Sequence, residues 1–558
     1  MSKTTKSLKK RPNILILLTD QQRTIQHFPE GWAEKYLPWT THLKKTGVTF
    51  ENNMCSSTAC SPSRSTMFSG TYPTINGVLK VNDTMNMSRT LPMGGSLITL
   101  GKVMTDAGYK MEYKGKWHLD ESINAFSYMR PSDKDRMMIE DDAMENHYDM
   151  PGWTSPDLGG IETNATKEIK PEYNTDDDDD DYDPNNTALN SIGGGTANND
   201  SRIVNGPMFS DRQQSAVEFI KNYNPNKEEP FCLVVSLANP HDIWVYPNTP
   251  ESAGYDVESI FSSSMFTDFE FELPESYHKK LRKKPTAQKN FLRRFQKGPL
   301  DSDEAINYVQ FYAYLQTLID ELTGDLIQAL KNNTHVKGQL EQDTLIVRMS
   351  DHGEMAMAQG GLRQKENNVY KEAIKVPMIF SNPNLPKLDI TKDDFVSLID
   401  IMPTLAELVG TNIPEKYVIQ GNSFAKSIVG ENTNAKKFNY FATDDGSMSQ
   451  YTSIRAIIDN NYKYAVYYKA TYSDSLNEKG VVNYNGYVDD DSDDIEYELY
   501  DLQKDTEEME NLLNNISKVK DPLLDIWKNL HALLTEQMVK TFTRPKEWDL
   551  ADPAKQIE

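Results

Sequence analysis

The chain has 558 residues, of which 38% are hydrophobic, and this is enough for a large core and for more than one domain. Its formal net charge of −24, from 83 acidic and 59 basic residues, disfavours nucleic acid and anionic membranes as partners. The three cysteines, Cys55, Cys60 and Cys232, argue against a disulfide framework and fit a reducing compartment.

The first predicted element is a strand over residues 13–18, an uninterrupted apolar run behind a basic N-terminus. The run is shorter than the apolar core of a typical signal peptide, Asp20 ends it, and no small-residue cleavage site follows. No stretch of the sequence is apolar for long enough to span a bilayer. We therefore expect a cytoplasmic protein that binds no membrane, with export through an atypical leader as the alternative.

Strand and helix patterns then alternate to about residue 410. Residues 96–108 predict a helix that ends at a glycine, residues 231–237 and 344–349 predict buried strands, and the leucines between 315 and 330 follow helical spacing. This alternation is typical of an α/β fold with a large, mostly parallel central sheet flanked by helices. We expect residues 1–410 to form a catalytic domain with its site at the strand ends, where open α/β sheets place their ligands.

Two segments interrupt this alternation. Residues 121–210 contain the acidic run from Asp176 to Asp181 and glycine-rich sequence, which predicts an inserted, partly disordered surface segment. A calcium loop is the alternative reading of the acidic run. The basic cluster from Lys279 to Lys284 predicts a solvated helix face or a lid rather than a site for a polyanion.

Residues 411–558 do not continue the alternation of strand and helix patterns, and they predict a smaller C-terminal α+β domain. Residues 462–468 and 498–502 predict strands of an antiparallel sheet, and residues 521–540 predict a closing amphipathic helix. The tail from Thr541 is a candidate for contact with a second subunit, which leaves a homo-oligomer open.

The strongest functional signal is the string Cys60-Ser61-Pro62-Ser63-Arg64, which Ser69-Gly70 and Tyr72-Pro73 follow. This string resembles the type I sulfatases of the alkaline phosphatase superfamily, and the resemblance continues in the same order over most of the chain. It implies an alkaline phosphatase-like fold and hydrolysis of a small-molecule or carbohydrate sulfate ester. It also implies that a formylglycine-generating enzyme oxidises Cys60 to formylglycine (3-oxoalanine).

The reason for such an oxidation is chemical. A serine hydroxyl is a weak nucleophile at neutral pH and needs an activating base. A hydrated aldehyde carries two hydroxyls on one carbon, so that one attacks sulfur and deprotonation of the other then expels sulfate. The resemblance implies that Arg64 stabilises the charged diolate. Because hydrate and sulfate are rich in oxygen, a hard divalent cation is expected beside them.

Two predicted strand ends carry candidate metal ligands. Asp20-Gln21 ends the first strand, and Asp351-His352 follows the strand over 344–349. The resemblance implies that Asp20, Asp351, His352 and the modified Cys60 share one divalent cation, with Gln21 contacting the substrate or, weakly, the metal. The Asp-Gln and Asp-His pairs are similar to those of choline sulfatases and phosphonate monoester hydrolases. We expect Ca²⁺ first, with Mn²⁺ or Mg²⁺ as alternatives because imidazole is a softer ligand.

The remaining candidates would bind the sulfate or move protons. Gly115-Lys116-Trp117-His118 resembles a family string in which the lysine bridges nucleophile and ester and the histidine is the base that collapses the intermediate. His241 in Pro240-His241 corresponds to an acid for the leaving alcohol, and Lys365 to a second sulfate lysine. Asn82 occupies the place of an active-site asparagine of choline sulfatase-like members.

Three functions remain open from the sequence. The first is a metal-dependent sulfuric ester hydrolase. The second is a phosphonate monoester or phosphodiester hydrolase that uses the same site. The third is a non-catalytic sulfate- or glycan-binding protein in which Cys60 stays unmodified.

Overall fold

The computed structural model describes residues 11–81, 96–119, 197–206, 214–251, 253–386, 391–431, 436–445, 453–471, 487–488 and 495–557. Seven strands form the large sheet: β1 (Asn13–Thr19), β2 (Gly47–Met54), β3 (Lys110–Gly115), β4 (Phe231–Leu237), β5 (Thr344–Ser350), β6 (Met378–Ser381) and β7 (Thr391–Ser397). Their order is β3-β4-β1-β5-β6-β2-β7. Only β6 runs antiparallel to its neighbours, so that the predicted mostly parallel sheet is confirmed.

Strand β1 lies inside this sheet, between β4 and β5, and its apolar side chains are buried on both faces. Ile16 pairs with Val234 of β4 on one side and with Val347 of β5 on the other. Successive side chains of a strand point to opposite faces, so Ile14, Ile16 and Leu18 enter one core and Leu15 and Leu17 enter another. Each of these cores is then covered by helices.

Eight helices of seven residues or more occur in the described residues. They are α1 (Pro38–Lys45), α2 (Cys60–Ser69), α3 (Leu100–Asp106), α4 (Ala197–Asn205), α5 (Ala216–Asn222), α6 (Ser302–Lys331), α7 (Ile401–Leu408) and α8 (Leu523–Lys540). Helices α2, α3 and α7 pack in the core of Ile14, whereas α1, α4, α5 and α6 pack in the core of Leu15. None of the described helices is long and apolar enough to cross a membrane.

Shorter helical segments connect these elements. They lie at Trp32–Tyr36, Pro73–Asn76, His241–Val245, Val257–Phe261, Ser264–Thr267, Glu275–His278, Leu281–Lys283, Thr286–Asn290, Phe291–Phe295, Ala358–Gly361, Lys371–Ile374, Leu398–Asp400, Ala425–Ile428, Ile516–Lys518, Trp548–Ala551 and Pro553–Ile557.

A second, antiparallel sheet forms the C-terminal part of the fold, as predicted. Strands β8 (Phe438–Thr443), β9 (Ser453–Asp459), β10 (Tyr462–Tyr468) and β13 (Glu496–Asp501) lie in the order β13-β10-β9-β8, and β11 (Ala470–Thr471) pairs with β12 (Tyr487–Val488). Helix α8 covers the sheet with Trp527 and Leu534, which are fully buried. The domain boundary near residue 410 stays a prediction and falls just after α7.

Two sequence-based expectations need correction. Residues 197–206 are not part of a disordered insertion, because α4 packs Ile203 and Val204 into the core. Asp200 of the same helix accepts hydrogen bonds from the backbone N–H groups of Ala238 and Asn239, at 2.7 and 2.9 Å. The basic cluster is not one helix face, since Lys284 is buried and donates to Tyr500 Oη at 2.8 Å. The acidic run and the calcium loop suggested for it lie outside the described residues.

Candidate active site

The candidate site lies where neighbouring parallel strands of the large sheet end. Asp20 follows β1, Lys116 follows β3, and Asp351 follows β5, while His241 lies four residues beyond β4. Because the carboxyl ends of parallel strands meet at one edge of a sheet, four distant segments of the chain contribute side chains to the same place.

Cys60 reaches this edge from the first turn of α2. Pro62 is compatible with that position because the first N–H groups of a helix have no partner within it, and Gly70 ends the helix in the left-handed conformation at φ 66°. The Sγ atom of Cys60 lies 3.0 Å from His352 Nε2 and 3.9 Å from Asp20 Oδ1. The thiol is buried, and it faces an imidazole and a carboxylate that come from β5 and β1.

Four side chains at this point could hold a metal ion. Asp20, Cys60, Asp351 and His352 each offer one ligand atom, and these atoms all lie within 4.8 Å of one another. Two ligands of one cation are at most two bond lengths apart, and bonds of about 2.0 to 2.6 Å to oxygen allow this spacing. The donor set therefore fits a divalent cation that accepts carboxylates and one imidazole.

The charges around Asp20 keep it ionised. Its Oδ2 atom accepts a hydrogen bond from Lys116 Nζ within an ion pair that is fully buried. Burial alone would raise the pKa of Asp20, but Lys116, His241, His352 and Lys365 together hold it well below its usual range. A carboxylate that stays charged while buried is suited to binding a cation.

His352 has its ring held in one orientation. Its Nδ1 atom lies 3.0 Å from the carbonyl oxygen of Gly353, so that Nε2 faces Cys60, Asp20 and Asp351. Burial would lower the pKa of His352, but its electrostatic interactions with Asp351 and Cys60 raise that pKa to about 9. Metal binding and protonation compete for the same nitrogen, because only neutral imidazole is a ligand.

Arg64 is occupied by the protein. Its guanidinium donates to Asp351 Oδ2 at 3.0 Å, to the carbonyl oxygen of Trp117 at 2.9 Å and to Ser236 Oγ at 2.6 Å. It also donates to Tyr113 Oη at 3.1 Å and to the carbonyl oxygen of Lys116. The side chain therefore joins α2 to the ends of β3, β4 and β5 and orients one metal-ligand candidate, and its predicted part in stabilising a diolate stays a prediction.

Gln21 is also bonded within the protein. Its Oε1 atom accepts a hydrogen bond from Lys365 Nζ at 3.0 Å, and its Nε2 atom donates to Gln364 Oε1 at 2.9 Å and to Glu354. Its backbone N–H donates to Asp351 Oδ1 at 3.1 Å. Gln21 thus holds Lys365 beside the site, and direct contact with a substrate stays a prediction.

Glu354 supports the site, although no role was predicted for it from the sequence. Its Oε1 atom accepts from Tyr308 Oη at 3.0 Å and from the backbone N–H of Gln364 at 2.7 Å, and its Oε2 atom accepts from Gln21. The signal was present in the sequence, since Glu354 closes the string Asp351-His352-Gly353-Glu354. Its partners, however, come from segments that only the fold brings near.

The two remaining histidine candidates, His118 and His241, are both buried. His118 is buried just beyond β3 at φ 61°, in a turn that Arg64 anchors through Trp117. His241 is buried, and burial together with Lys116, Lys365 and His352 lowers its pKa well below 6.5, although Asp20 opposes this. His241 is therefore neutral at pH 7. Asn82 lies outside the described residues.

Comparisons with known proteins agree with this geometry. A family model described as sulfatase matches residues 12–411, and a second, described as N-sulphoglucosamine sulphohydrolase, C-terminal, matches residues 363–479. The chain is 25% identical over 549 residues to an Escherichia coli K12 protein named sulfatase YidJ, covering 92% of this chain and 87% of that protein. It is 23% identical over 523 residues to the Delta 4,5-hexuronate-2-O-sulfatase of Bacteroides thetaiotaomicron, covering 92% and 85%.

A solved structure shows the same fold. The phosphonate monoester hydrolase of Agrobacterium radiobacter superposes with a TM-score of 0.58 at 17% identity, over 95% of this chain and 96% of that one. The match of the first family model to most of the chain confirms the resemblance on which the sequence analysis relied. The chain therefore belongs to the sulfatase family of sulfuric ester hydrolases.

Proposed function

We propose that the protein hydrolyses a sulfate ester to an alcohol and inorganic sulfate after oxidation of Cys60 to formylglycine. One observation carries the proposal: Cys60 Sγ lies in the first turn of a buried helix, with two carboxylates and an imidazole whose ligand atoms are all within 4.8 Å. A buried free cysteine that served packing alone would not need three ionisable neighbours. The hydrated formylglycine would supply the hydroxyl that attacks sulfur.

One divalent cation would be held by Asp20, Asp351, His352 and the modified residue 60. Ca²⁺ is the first choice, with Mn²⁺ or Mg²⁺ as alternatives. When bound, such an ion supplies charge that withdraws electrons from an ester oxygen and favours ionisation of a hydroxyl. The backbone N–H groups of Gln21 and His352 both donate to Asp351 Oδ1, at 3.1 and 2.9 Å, which fixes the carboxylate in place.

The cations of the chain would bind the sulfate group. Lys116 and Lys365 are both buried, and both lower the pKa of the Asp20 carboxyl. Burial would lower the pKa of Lys365, but Cys60, Glu366 and Asp20 raise it, so that its ammonium keeps its charge. Preorganised charges in a site that excludes water stabilise a sulfuryl-transfer transition state more strongly than charges in solution.

The two histidines would move protons. His118 is proposed as the base that deprotonates the second hydroxyl, and His241 as the donor to the leaving alcohol. A neutral imidazole is a weak proton donor, and His241 has a pKa well below 6.5. Its proposed role therefore depends on the negative charge of a bound ester, which would raise that pKa.

The test is the mass of the tryptic peptide that contains Cys60, taken from protein isolated from its native source. Formylglycine at this position, and loss of nitrophenyl sulfate hydrolysis by at least about a thousandfold in Cys60→Ala, are expected. Cys232→Ala is the matched control, because Cys232 is an equally buried thiol inside β4 and away from the site. An intact thiol in fully active enzyme would overturn the mechanism, and an intact thiol without activity would favour a sulfate- or glycan-binding protein.

A second candidate is hydrolysis of phosphonate monoesters or phosphodiesters at the same site. It is favoured by the Asp20-Gln21 and Asp351-His352 pairs, which are similar to those of phosphonate monoester hydrolases. In the first pair, the neutral amide of Gln21 holds Lys365 at 3.0 Å. Side-by-side kinetics on nitrophenyl sulfate and a phenyl phosphonate monoester separate the two reactions. We expect sulfate to be preferred, and a phosphonate preference of orders of magnitude would reverse the ranking.

A further inference from the structure

We propose that Asp200 is a positioning residue for His241, the histidine assigned above to protonation of the leaving alcohol. The inference rests on the proposed function, since it explains how that histidine is held beside the reacting ester. It is carried by the hydrogen bonds that Asp200 makes to the turn between β4 and His241.

The imidazole of His241 depends on its backbone for its position. Burial lowers the pKa of His241, and Asp20, Lys116 and His352 are close enough to shift it as well, so the ring lies beside the candidate metal site. Within the described residues, its buried Nδ1 atom has no hydrogen-bond partner. The ring of His352, in contrast, is held through Nδ1 by the carbonyl oxygen of Gly353 at 3.0 Å. The backbone turn that presents His241 therefore has to place its ring.

This turn begins where β4 ends, at Leu237. The backbone N–H of His241 donates to the carbonyl oxygen of Ala238 at 3.1 Å, which closes a turn of four residues. The backbone N–H groups of Ala238 and Asn239 both donate to one carboxylate, because Asp200 accepts them with Oδ1 and Oδ2 at 2.7 and 2.9 Å. Asp200 thus holds the first two residues of the turn that ends at His241.

The charge of Asp200 suits this role. The side chain is buried, and burial raises its pKa to about 6, although the backbone donors of Ala238 and Asn239 oppose this shift. The carboxyl is therefore mostly ionised at pH 7, where both of its oxygens accept. Hydrogen bonds to a carboxylate are roughly twice as strong as those between neutral groups. Two of them on consecutive residues leave the turn little freedom to shift.

The helix that carries Asp200 is itself fixed. Asp200 lies in the first turn of α4, and Ile203 and Val204 of this helix are buried in the core. At the other end of α4, Asn205 donates to Asp325 Oδ2 of α6 at 2.8 Å. Helix α4 also contacts β3, β4 and α5. The core of the large domain therefore sets the position of the carboxylate that grips the turn.

A second contact holds the chain on the other side of His241. The next residue, Asp242, is buried, and its Oδ2 atom accepts a hydrogen bond from Tyr255 Oη at 2.5 Å. The ring of Tyr255 lies 5.1 Å from that of Phe311 on α6. His241 is thus fixed on both sides, by Asp200 through α4 and by Asp242 through Tyr255.

The position of a proton donor matters most for esters with a poor leaving group. A general acid has to lie within about 2.6 to 3.2 Å of the atom that it protonates, and a displacement of about 1 Å can lower a rate about a hundredfold. The 4-nitrophenolate ion is stable without a proton, whereas a phenolate without an electron-withdrawing group leaves far more slowly unless it is protonated. A displaced His241 should therefore change how the rate depends on the leaving group.

The test measures kcat/KM for a series of phenyl sulfates whose ring substituents run from 4-nitro to 4-methyl. Asp200→Asn is compared with Asp320→Asn, because Asp320 is equally buried and its two oxygens accept the backbone N–H groups of Trp39 and Thr40, at 2.9 and 2.7 Å, in α1. Both substitutions turn one accepting oxygen into an NH₂ group, so the thermal midpoints should fall by similar amounts. For Asp200→Asn only, we expect the loss on the 4-methyl ester to exceed the loss on the 4-nitro ester at least about tenfold. His241→Ala should show the same pattern more strongly, since it removes the proton donor.

Tyr255→Phe is the second variant, for use if Asp200→Asn does not fold, because it removes only the hydroxyl that holds Asp242. Its control is Tyr497→Phe, whose hydroxyl donates to the carbonyl oxygen of Ala551 at 3.2 Å in the C-terminal part of the chain. It should steepen the dependence on the leaving group in the same direction, and its control should not.

The possible failures can be told apart. Equal losses on all esters in the folded site variant, as in its control, would overturn the inference. Equal losses on all esters in His241→Ala would overturn it together with the role of His241, while sulfate ester hydrolysis would stand. No sulfate release from any ester by the wild type would refute the proposed function, on which the inference rests.

Discussion

The substitution Arg64→Lys tests how the site is held together. The Arg64 guanidinium contacts five acceptors in a fully buried position, among them Asp351 Oδ2. A lysine in its place has three N–H groups, so that Arg64→Lys loses at least two of these five buried hydrogen bonds. A buried hydrogen bond from a charged donor contributes about 1.5 to 3 kcal/mol, so the expected loss in the free energy of unfolding is about 3 to 6 kcal/mol.

The assay combines denaturant unfolding with turnover of nitrophenyl sulfate. Arg455→Lys is the control, because Arg455 is also fully buried and bonds Asp444 Oδ2 at 3.0 Å and the carbonyl oxygens of Thr443 and Thr543, in the C-terminal sheet. We expect similar destabilisation in both variants. Only Arg64→Lys should also lower kcat, by about tenfold to a hundredfold, since Asp351 loses a partner that orients it. The reasoning fails if Arg64→Lys unfolds within about 1 kcal/mol of the wild type or keeps its turnover.

Three further predictions concern the metal, the pH and the backbone. A chelator should lower the thermal midpoint and stop sulfate release, because Asp20 and Asp351 repel each other without a cation. Added Ca²⁺ or Mn²⁺ should restore both. An unchanged thermal midpoint and unchanged sulfate release after chelation would argue against a metal. Burial lowers the pKa of His531 to about 4, so the stability that its neutral imidazole contributes above pH 6.5 is lost as pH falls, by about 3 kcal/mol at pH 4. Between pH 7 and 4, the free energy of unfolding of His531→Gln should therefore fall by about 3 kcal/mol less than that of the wild type. Equal losses in the two proteins would contradict this. Gly353→Ala would place a Cβ 2.0 Å from the carbonyl oxygen of Glu372 and should lower the free energy of thermal unfolding by about 3 kcal/mol. Gly410→Ala, whose Cβ meets nothing within 4 Å, should lower it by about 1 kcal/mol. Similar losses in both variants would show that the backbone around Gly353 shifts to relieve the clash.

Much of the fold is predictable because its signals are local. The apolar runs that form β1, β4 and β5 are visible in the sequence to within a residue, since strands buried on both faces contain few polar side chains. The prediction was wrong for residues 197–206. Helix α4 follows glycine- and asparagine-rich sequence, and its burial depends on contacts with β4 and α6 that no local pattern reveals.

The site is also predictable in part. Asp20, Cys60, Asp351 and His352 are expected together, and the structure brings their ligand atoms within 4.8 Å. Their spacing along the chain says nothing of this distance, which follows from the parallel order of β1 and β5 and from the position of α2. The functional roles of the site residues, the domain boundary near 410 and a cytoplasmic location stay predictions.

What the sequence determined by itself is the chemistry available: a modifiable cysteine in its pentapeptide, acidic residues at strand ends, and lysines and histidines that suit an anion. The tertiary structure decided how those groups are used. It directs Arg64 to five protein acceptors, binds the Gln21 amide to Lys365, and recruits Glu354 as a support. It also turns Lys284 of the basic cluster inward, where its ammonium bonds Tyr500 Oη. These outcomes depend on contacts between residues that are up to several hundred positions apart, and such contacts exist only once the sheet has formed.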